Sequence, residues 1–230
     1  MRQIYDMPQV VINAIKRLYH FLVNPLKPIV NSGDYWKHRY ESGGNSGAGS
    51  YAEHAKFKAE VVNAFVLEKD IARVIEYGCG DGNQLGLAHY PSYIGFDISP
   101  KALELCKIRF MGDKCKTFRL MDDYALEKAE LTLSLDVIYH LIEDEVFSEY
   151  MERLFNSSER FVIIYSSNTD HQWDNQAPHV RHRKFSIWIQ ENKTQWQLLK
   201  HISNKYPLTV DRSNGSIADF YIYEKIQENT

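Results

Sequence analysis

The chain has 230 residues, of which 44% are hydrophobic and 25% charged, and a formal net charge of -3. That length favours one sizeable core over two, and the composition is that of a folded globular protein, which excludes disordered and fibrous classes. The charge balance lacks the broad positive field that neutralising many phosphates requires, so a nucleic-acid partner is not expected. No apolar run approaches the roughly 18 to 20 residues needed to span a bilayer, and the N-terminus lacks the charged start, apolar run and small-residue cleavage site of a secretion signal. Cys79, Cys106 and Cys115 form neither an even disulfide set nor a C-x-x-C metal pair, which points to a reducing cytoplasm.

Residues 9–23, QVVINAIKRLYHFLV, are apolar around most of a helix but carry Lys16, Arg17 and His20, and the segment stops at Pro25 and Pro28. It is expected to be an outlying helix packed on the domain, with peripheral membrane or partner contact as the alternative. Residues 41–50, ESGGNSGAGS, hold no apolar residue larger than Ala48 and cannot pack a core. The flanking Tyr35, Trp36, Tyr40 and Tyr51 favour a lid over a linker. Residues 1–50 thus read as a helix and cap, and 51–230 as the main domain.

From residue 51 helix and strand alternate. A helix from Ala52 to Leu67 precedes the strand RVIEY (73–77). Then come SYIGFD (92–97), a helix from Pro100 to about Phe110, KTFRL (116–120), AELTLSLD (129–136), a helix from Glu143 to Phe155, and the apolar strand RFVIIYS (160–166). Such alternation predicts an α/β fold with a doubly wound, mostly parallel sheet and helices on both faces. After a helix beginning FSIWIQENKTQW, the tail segments WQLLKHIS (196–203) and IADFYIYEK (217–225) predict an antiparallel edge hairpin.

In VIEYGCGDGNQL (74–85) an apolar strand runs into Gly78, Gly80 and Gly82, where absent side chains let the backbone turn sharply against a ligand. Open α/β sheets bind nucleotides at such a turn. Asp97 stands 21 positions after Glu76, close to the offset at which a carboxylate takes both ribose hydroxyls. The G-x-G-x-G spacing departs from the dinucleotide fingerprint, which argues against a nicotinamide oxidoreductase. Glu76 and Asp81 would repel a pyrophosphate but suit a ligand with an ammonium and a sulfonium, which favours S-adenosylmethionine.

These motifs resemble the class I, Rossmann-like S-adenosylmethionine-dependent methyltransferases over about residues 51–225. The resemblance implies a seven-stranded sheet. It also implies that Glu76, Gly78, Gly80 and Asp81 cradle the amino-acid part of the cofactor, that Asp97 with Ile98 takes the ribose, and that Asp122 or Asp123 in MDDY reaches the adenine. LDVIYHL (135–141) matches the family's fourth-strand motif, which places Asp136 and His140 at the methyl end. YWKHRYESGG (35–44) is similar to an N-terminal cap in which an aromatic and an Arg close over the methionine part, giving those roles to Tyr35, Trp36 and Arg39.

Methyl transfer from a sulfonium is an in-line displacement that asks mainly for alignment. An oxygen acceptor must still lose a proton. His140, at the end of an apolar strand, is the candidate base, with a strand cap or a cofactor contact as the plainer alternative. In APHVRHRKF (177–185), His179, Arg181, His182 and Arg183, together with Tyr51, are candidate acceptor contacts; no carboxylate or cysteine completes a metal site there. The pattern of YWKHRY, GGNSGAGSY and HVRHRKF looks similar to bacterial methyltransferases of surface-polysaccharide and glycan biosynthesis. That similarity implies O-methylation of a sugar, a glycan precursor or an attached phosphate-like group. The alternatives are another small polar metabolite as acceptor, or a noncatalytic S-adenosylmethionine-binding interaction protein.

Overall fold

The computed structural model describes residues 31–174, 176–208 and 215–227. The helix expected at 9–23 lies outside them. Residues 31–50 belong to the same compact unit as the sheet. Among the described residues no helix is long and apolar enough to cross a membrane.

The elements are α1 (Ser32–Glu41), α2 (Ala52–Glu68), β1 (Arg73–Tyr77), β2 (Ser92–Asp97), α3 (Pro100–Arg109), β3 (Lys116–Leu120), β4 (Ala129–Leu135), α4 (Asp144–Asn156), β5 (Ser158–Ser166), α5 (Phe185–Asn192), β6 (Trp196–Ile202) and β7 (Asp219–Lys225). The seven strands lie in the order β3-β2-β1-β4-β5-β7-β6. All neighbours pair parallel except β7, which runs antiparallel to both β5 and β6. This is the doubly wound sheet with an antiparallel C-terminal edge that the alternation predicts. The order reverses between β1 and β4, the switch point at which such sheets open a crevice.

Both faces of the sheet are buried because alternate residues of the apolar strands serve opposite layers. Val74, Leu131, Leu133 and Ile163 pack with Phe57, Val62 and Phe65 of α2. Ile75, Val162 and Ile164 pack with Phe147, Met151 and Leu154 of α4 on the other side. Glu76 is in register with Gly95 of β2 and Leu133 of β4, so the carboxyl ends of the three strands finish together.

Two elements differ from expectation. The aromatic segment after Asn31 is helical, although only Ser32 and Tyr40 within it are buried. Its cap explains this: the Asn31 side chain accepts from the Asp34 N–H at 2.7 Å, and Asp34 in the first turn with His38 and Arg39 in the last complement the helix dipole. The helix opening at Phe185 stops at Asn192 rather than running to Trp196, which already begins β6.

Candidate functional site

A cavity of about 330 Å³ opens at the carboxyl ends of β1, β2 and β4, within the size range of small-molecule sites. Gly78 and Gly80, both on its wall, have φ of 82° and 59°, which disfavours other residues. Space forbids them as well: a Cβ on Gly78 would stand 2.5 Å from a methyl of Val137, and one on Gly80 would stand 2.3 Å from the Ser46 hydroxyl and 2.8 Å from that of Tyr40. Gly80 lets the lid rest directly on the turn, and Gly78 makes room for Val137 after β4.

Asp97 closes β2 behind this turn. Its carboxylate accepts from the N–H groups of Gly80 and Ser99, each at 2.9 Å, and burial nevertheless pushes its pKa up to about 6. Glu76 accepts from the Tyr93 hydroxyl at 2.6 Å; burial, working against that bond, pushes it up to about 7. Ile98 and Asp122 line the same cavity, whereas Asp123 is exposed and does not.

Asp81 and Tyr51 join the turn to the lid. Asp81 accepts from the Ser46 N–H at 3.1 Å, the Tyr51 hydroxyl at 2.6 Å and the Asn83 N–H at 3.0 Å, and its own N–H donates to the Ser46 hydroxyl. Burial opposes its ionisation, but those bonds outweigh it and hold the carboxyl below its usual range. Burial and the Asp81 carboxylate push the Tyr51 phenol up to about 12. Neither residue is on the cavity wall. Their spacing places them beside the turn, but their hydrogen bonds latch the lid to it.

The cap residues separate in the same way. Trp36 lines the cavity, with its ring edge-on to His140 at 4.8 Å. Tyr35 stacks on His179 at 4.0 Å. Arg39 donates to the Asn45 carbonyl and the Tyr35 hydroxyl and sits over the Trp36 ring; it braces the lid from outside the cavity.

His140 lines the cavity, and its Nδ1 lies 3.1 Å from the His179 carbonyl. A carbonyl only accepts, so Nδ1 carries the proton and Nε2 keeps its lone pair. Desolvation pushes this imidazole down to about 4, so it is neutral at physiological pH. Next to it Asp136 takes the left-handed conformation at φ 61° and accepts from the Tyr139 hydroxyl at 2.8 Å and from Lys58 Nζ at 2.5 Å. Lys58, Tyr40, Ser46 and Gln84 line the cavity unforeseen. A signal existed for Lys58: it interrupts the buried stripe Ala55, Ala59, Val62 and Val66 of α2.

The basic cluster does not reach the cavity. Arg181 donates to the Ile142 carbonyl and to Asp144, and Arg183 donates to the carbonyls of Leu141 and Ile142 and to Asp144, with its guanidinium over Phe147. His182 is buried, its Nδ1 2.8 Å from the Ser167 hydroxyl. These side chains clamp the 177–184 segment to the start of α4, where Asp144 offsets their charge, and Arg181, His182 and Arg183 also line a separate, open hollow of about 750 Å³ between that segment and α5. Of the cluster, only His179 touches the site, through His140. Among the described residues no group of His, Cys, Asp or Glu is placed to hold a metal.

A methyltransferase-domain family matches residues 68–213. No curated protein matches the chain. Among solved structures, the methyltransferase domain of bacterial CtHen1 superposes with a TM-score of 0.59 at 18% identity, covering 74% of this chain and 97% of that one. Magnesium protoporphyrin IX methyltransferase from Synechocystis PCC 6803, with bound S-adenosylhomocysteine, gives 0.59 at 15% identity over 93% of this chain and 99% of that one. The N-methyltransferase NodS from Bradyrhizobium japonicum WM9 gives 0.63 at 10% identity over 86% and 100%. Identities this low speak for the fold, and the family match, which spans well over half of the chain, speaks for membership. The chain therefore belongs to the methyltransferase-domain family and has the Rossmann-like fold of S-adenosylmethionine-dependent methyltransferases.

Proposed function

We propose that the protein methylates a hydroxyl of a sugar, a glycan precursor or an attached phosphate-like group, with S-adenosylmethionine as methyl donor, in bacterial surface-polysaccharide biosynthesis. The cavity fits that donor. Its wall carries Glu76, Asp97, Asp122, Asp136, Glu143 and Glu149 against Lys58 and Arg153, a lining suited to a cationic ligand. Gln84 Oε1 is buried there with no hydrogen-bond partner among the described residues, an acceptor ready for an ammonium. Gly78, Gly80, Glu76, Asp97, Ile98, Asp122 and Asp136 would hold the cofactor, and residues 31–50 would cover it. When bound, S-adenosylmethionine supplies an electrophilic methyl carbon on a sulfonium.

The observation that carries oxygen as the accepting atom is the His140 tautomer. With Nδ1 committed to the His179 carbonyl, Nε2 is free to take a proton. A hydroxyl becomes strongly acidic as its oxygen bonds to the methyl carbon, so even a weak neutral base suffices. The donor would supply the methyl group to the acceptor oxygen, leaving the C–S electron pair on sulfur, and His140 Nε2 would take the proton that the hydroxyl gives up. A sugar is supported by the rings around His140, those of Trp36 and His179, since flat rings offer apolar faces to pyranose C–H groups.

Calorimetry with S-adenosylmethionine, S-adenosylhomocysteine and NADH, followed by a screen of sugar and sugar-phosphate acceptors, tests this reading. Binding of the first two alone, with acceptor-dependent production of S-adenosylhomocysteine, is expected. Binding of NADH overturns the cofactor, and turnover with amine or RNA acceptors but not with hydroxyls overturns the acceptor.

A further inference from the structure

Lys58 is a buried charge to which neither the core nor the proton transfer at His140 gives a use. Its side chain is 0% exposed; among the described residues its Nζ pairs with Asp136 at 2.5 Å, and its charge also lowers the Glu76 pKa. An apolar residue would complete the stripe of α2 without the desolvation cost of an ammonium. Both partners line the cavity beside His140. Asp136 cannot turn away from Lys58: its backbone is left-handed, Tyr139 holds Oδ1 at 2.8 Å, and Gly49 of the lid is packed so closely that a Cβ there would stand 2.7 Å from Oδ2.

We propose that Lys58 is a selectivity residue, whose cation offsets the Asp136 carboxylate so that the cavity does not hold the sulfonium donor too tightly against its uncharged-sulfur product. This inference rests on the S-adenosylmethionine reading. The two ligands share their adenosine and amino-acid parts and differ by one methyl and one positive charge. An uncompensated Asp136 would favour the charged member. That is ground-state binding, lost as the transfer proceeds, and it slows the chemical step. Lys58 removes this bias, and its effect on Glu76, which would hold a part common to both ligands, bears on the two alike.

Calorimetric affinities for S-adenosylmethionine and S-adenosylhomocysteine, measured at pH 8 on the full chain and three variants, test the proposal. Lys58→Met should shift the ratio of the two affinities towards the donor on the order of a hundredfold, as expected for unit charges about 6 Å apart at an effective dielectric near 20. Asp136→Asn, which leaves the cation alone, should shift it towards the product, and Lys58→Arg should keep the ratio of the parent. Equal losses for both ligands in Lys58→Met would assign Lys58 to the amino-acid part or to folding and would overturn the proposal, as would an unchanged ratio. If Lys58→Met does not fold, the sign of the Asp136→Asn shift decides. A parent protein that binds neither ligand removes the S-adenosylmethionine reading itself, and this inference with it.

Discussion

The Nδ1 atom of His140 lies 3.1 Å from the carbonyl oxygen of His179, and that contact decides which ring nitrogen keeps its lone pair. His140→Ala should lower turnover on the order of 10²-fold while leaving S-adenosylmethionine affinity nearly unchanged, a split that single-turnover kinetics and calorimetry resolve together. Equal losses in both would make His140 a cofactor contact.

The same imidazole sets one slope of stability against pH. Its folded pKa, about 4, lies below the ordinary 6.5, so the unfolded chain binds the extra proton between those values. Its contribution is complete above pH 6.5 and is lost as pH falls towards 4. Thermal melts of His140→Gln and parent protein should therefore converge on acidification through that window.

Asp97 and Glu76 titrate the other way. Their folded pKa values, about 6 and about 7, are raised, so part of the cavity's negative charge appears only as pH climbs through that range. Affinity for the cationic donor should rise from pH 5.5 to 7.5. Asp97→Asn should flatten part of that rise, and Asp97→Ala should weaken binding more than tenfold, both read by calorimetry.

Gly80→Ala would put a methyl on the Ser46 hydroxyl at a φ of 59°. We expect the lid to detach, with faster proteolysis within 41–50 and loss of donor binding. Tyr51→Phe, which removes one donor from Asp81, should produce a milder form of the same effect, with stability reduced by about 1–3 kcal/mol in denaturant melts.

Arg183→Ala should cost stability rather than acceptor affinity. Its side chain is 11% exposed and satisfies two carbonyls, so a loss of about 1–3 kcal/mol is expected, with the acceptor Michaelis constant unchanged. Arg181, 44% exposed, should matter less. An acceptor Michaelis constant that rises in Arg183→Ala without destabilisation would restore the binding role.

The strands were readable because most are short apolar runs ended by turn residues; RVIEY, SYIGFD and even the mixed KTFRL have the bounds the chain pattern implies. The Asp97 and glycine positions were readable for a related reason, since one strand and one turn set them locally. Helix α1 was not, because its aromatic and charged residues show no apolar stripe. Pairings across the fold were also hidden. Lys58 finds Asp136 78 positions away, and Arg183 finds Asp144 39 positions earlier; charge in a sequence announces a partner without naming it. The carbonyls that Arg181 and Arg183 reach were hidden for the same reason, since they come from the turn before α4.

Asp81 grips residues 46 and 51 with one carboxylate, so the glycine-rich stretch between them is already closed into a ring of noncovalent links. Ordering a loop costs about 1–2 kcal/mol per residue in conformational entropy, a cost that would recur at every donor encounter if binding had to gather the loop. Here folding meets it once. Donor binding then becomes an encounter with a preorganised surface, marked by a small conformational-entropy change, and turnover is free of a repeated disorder-to-order step.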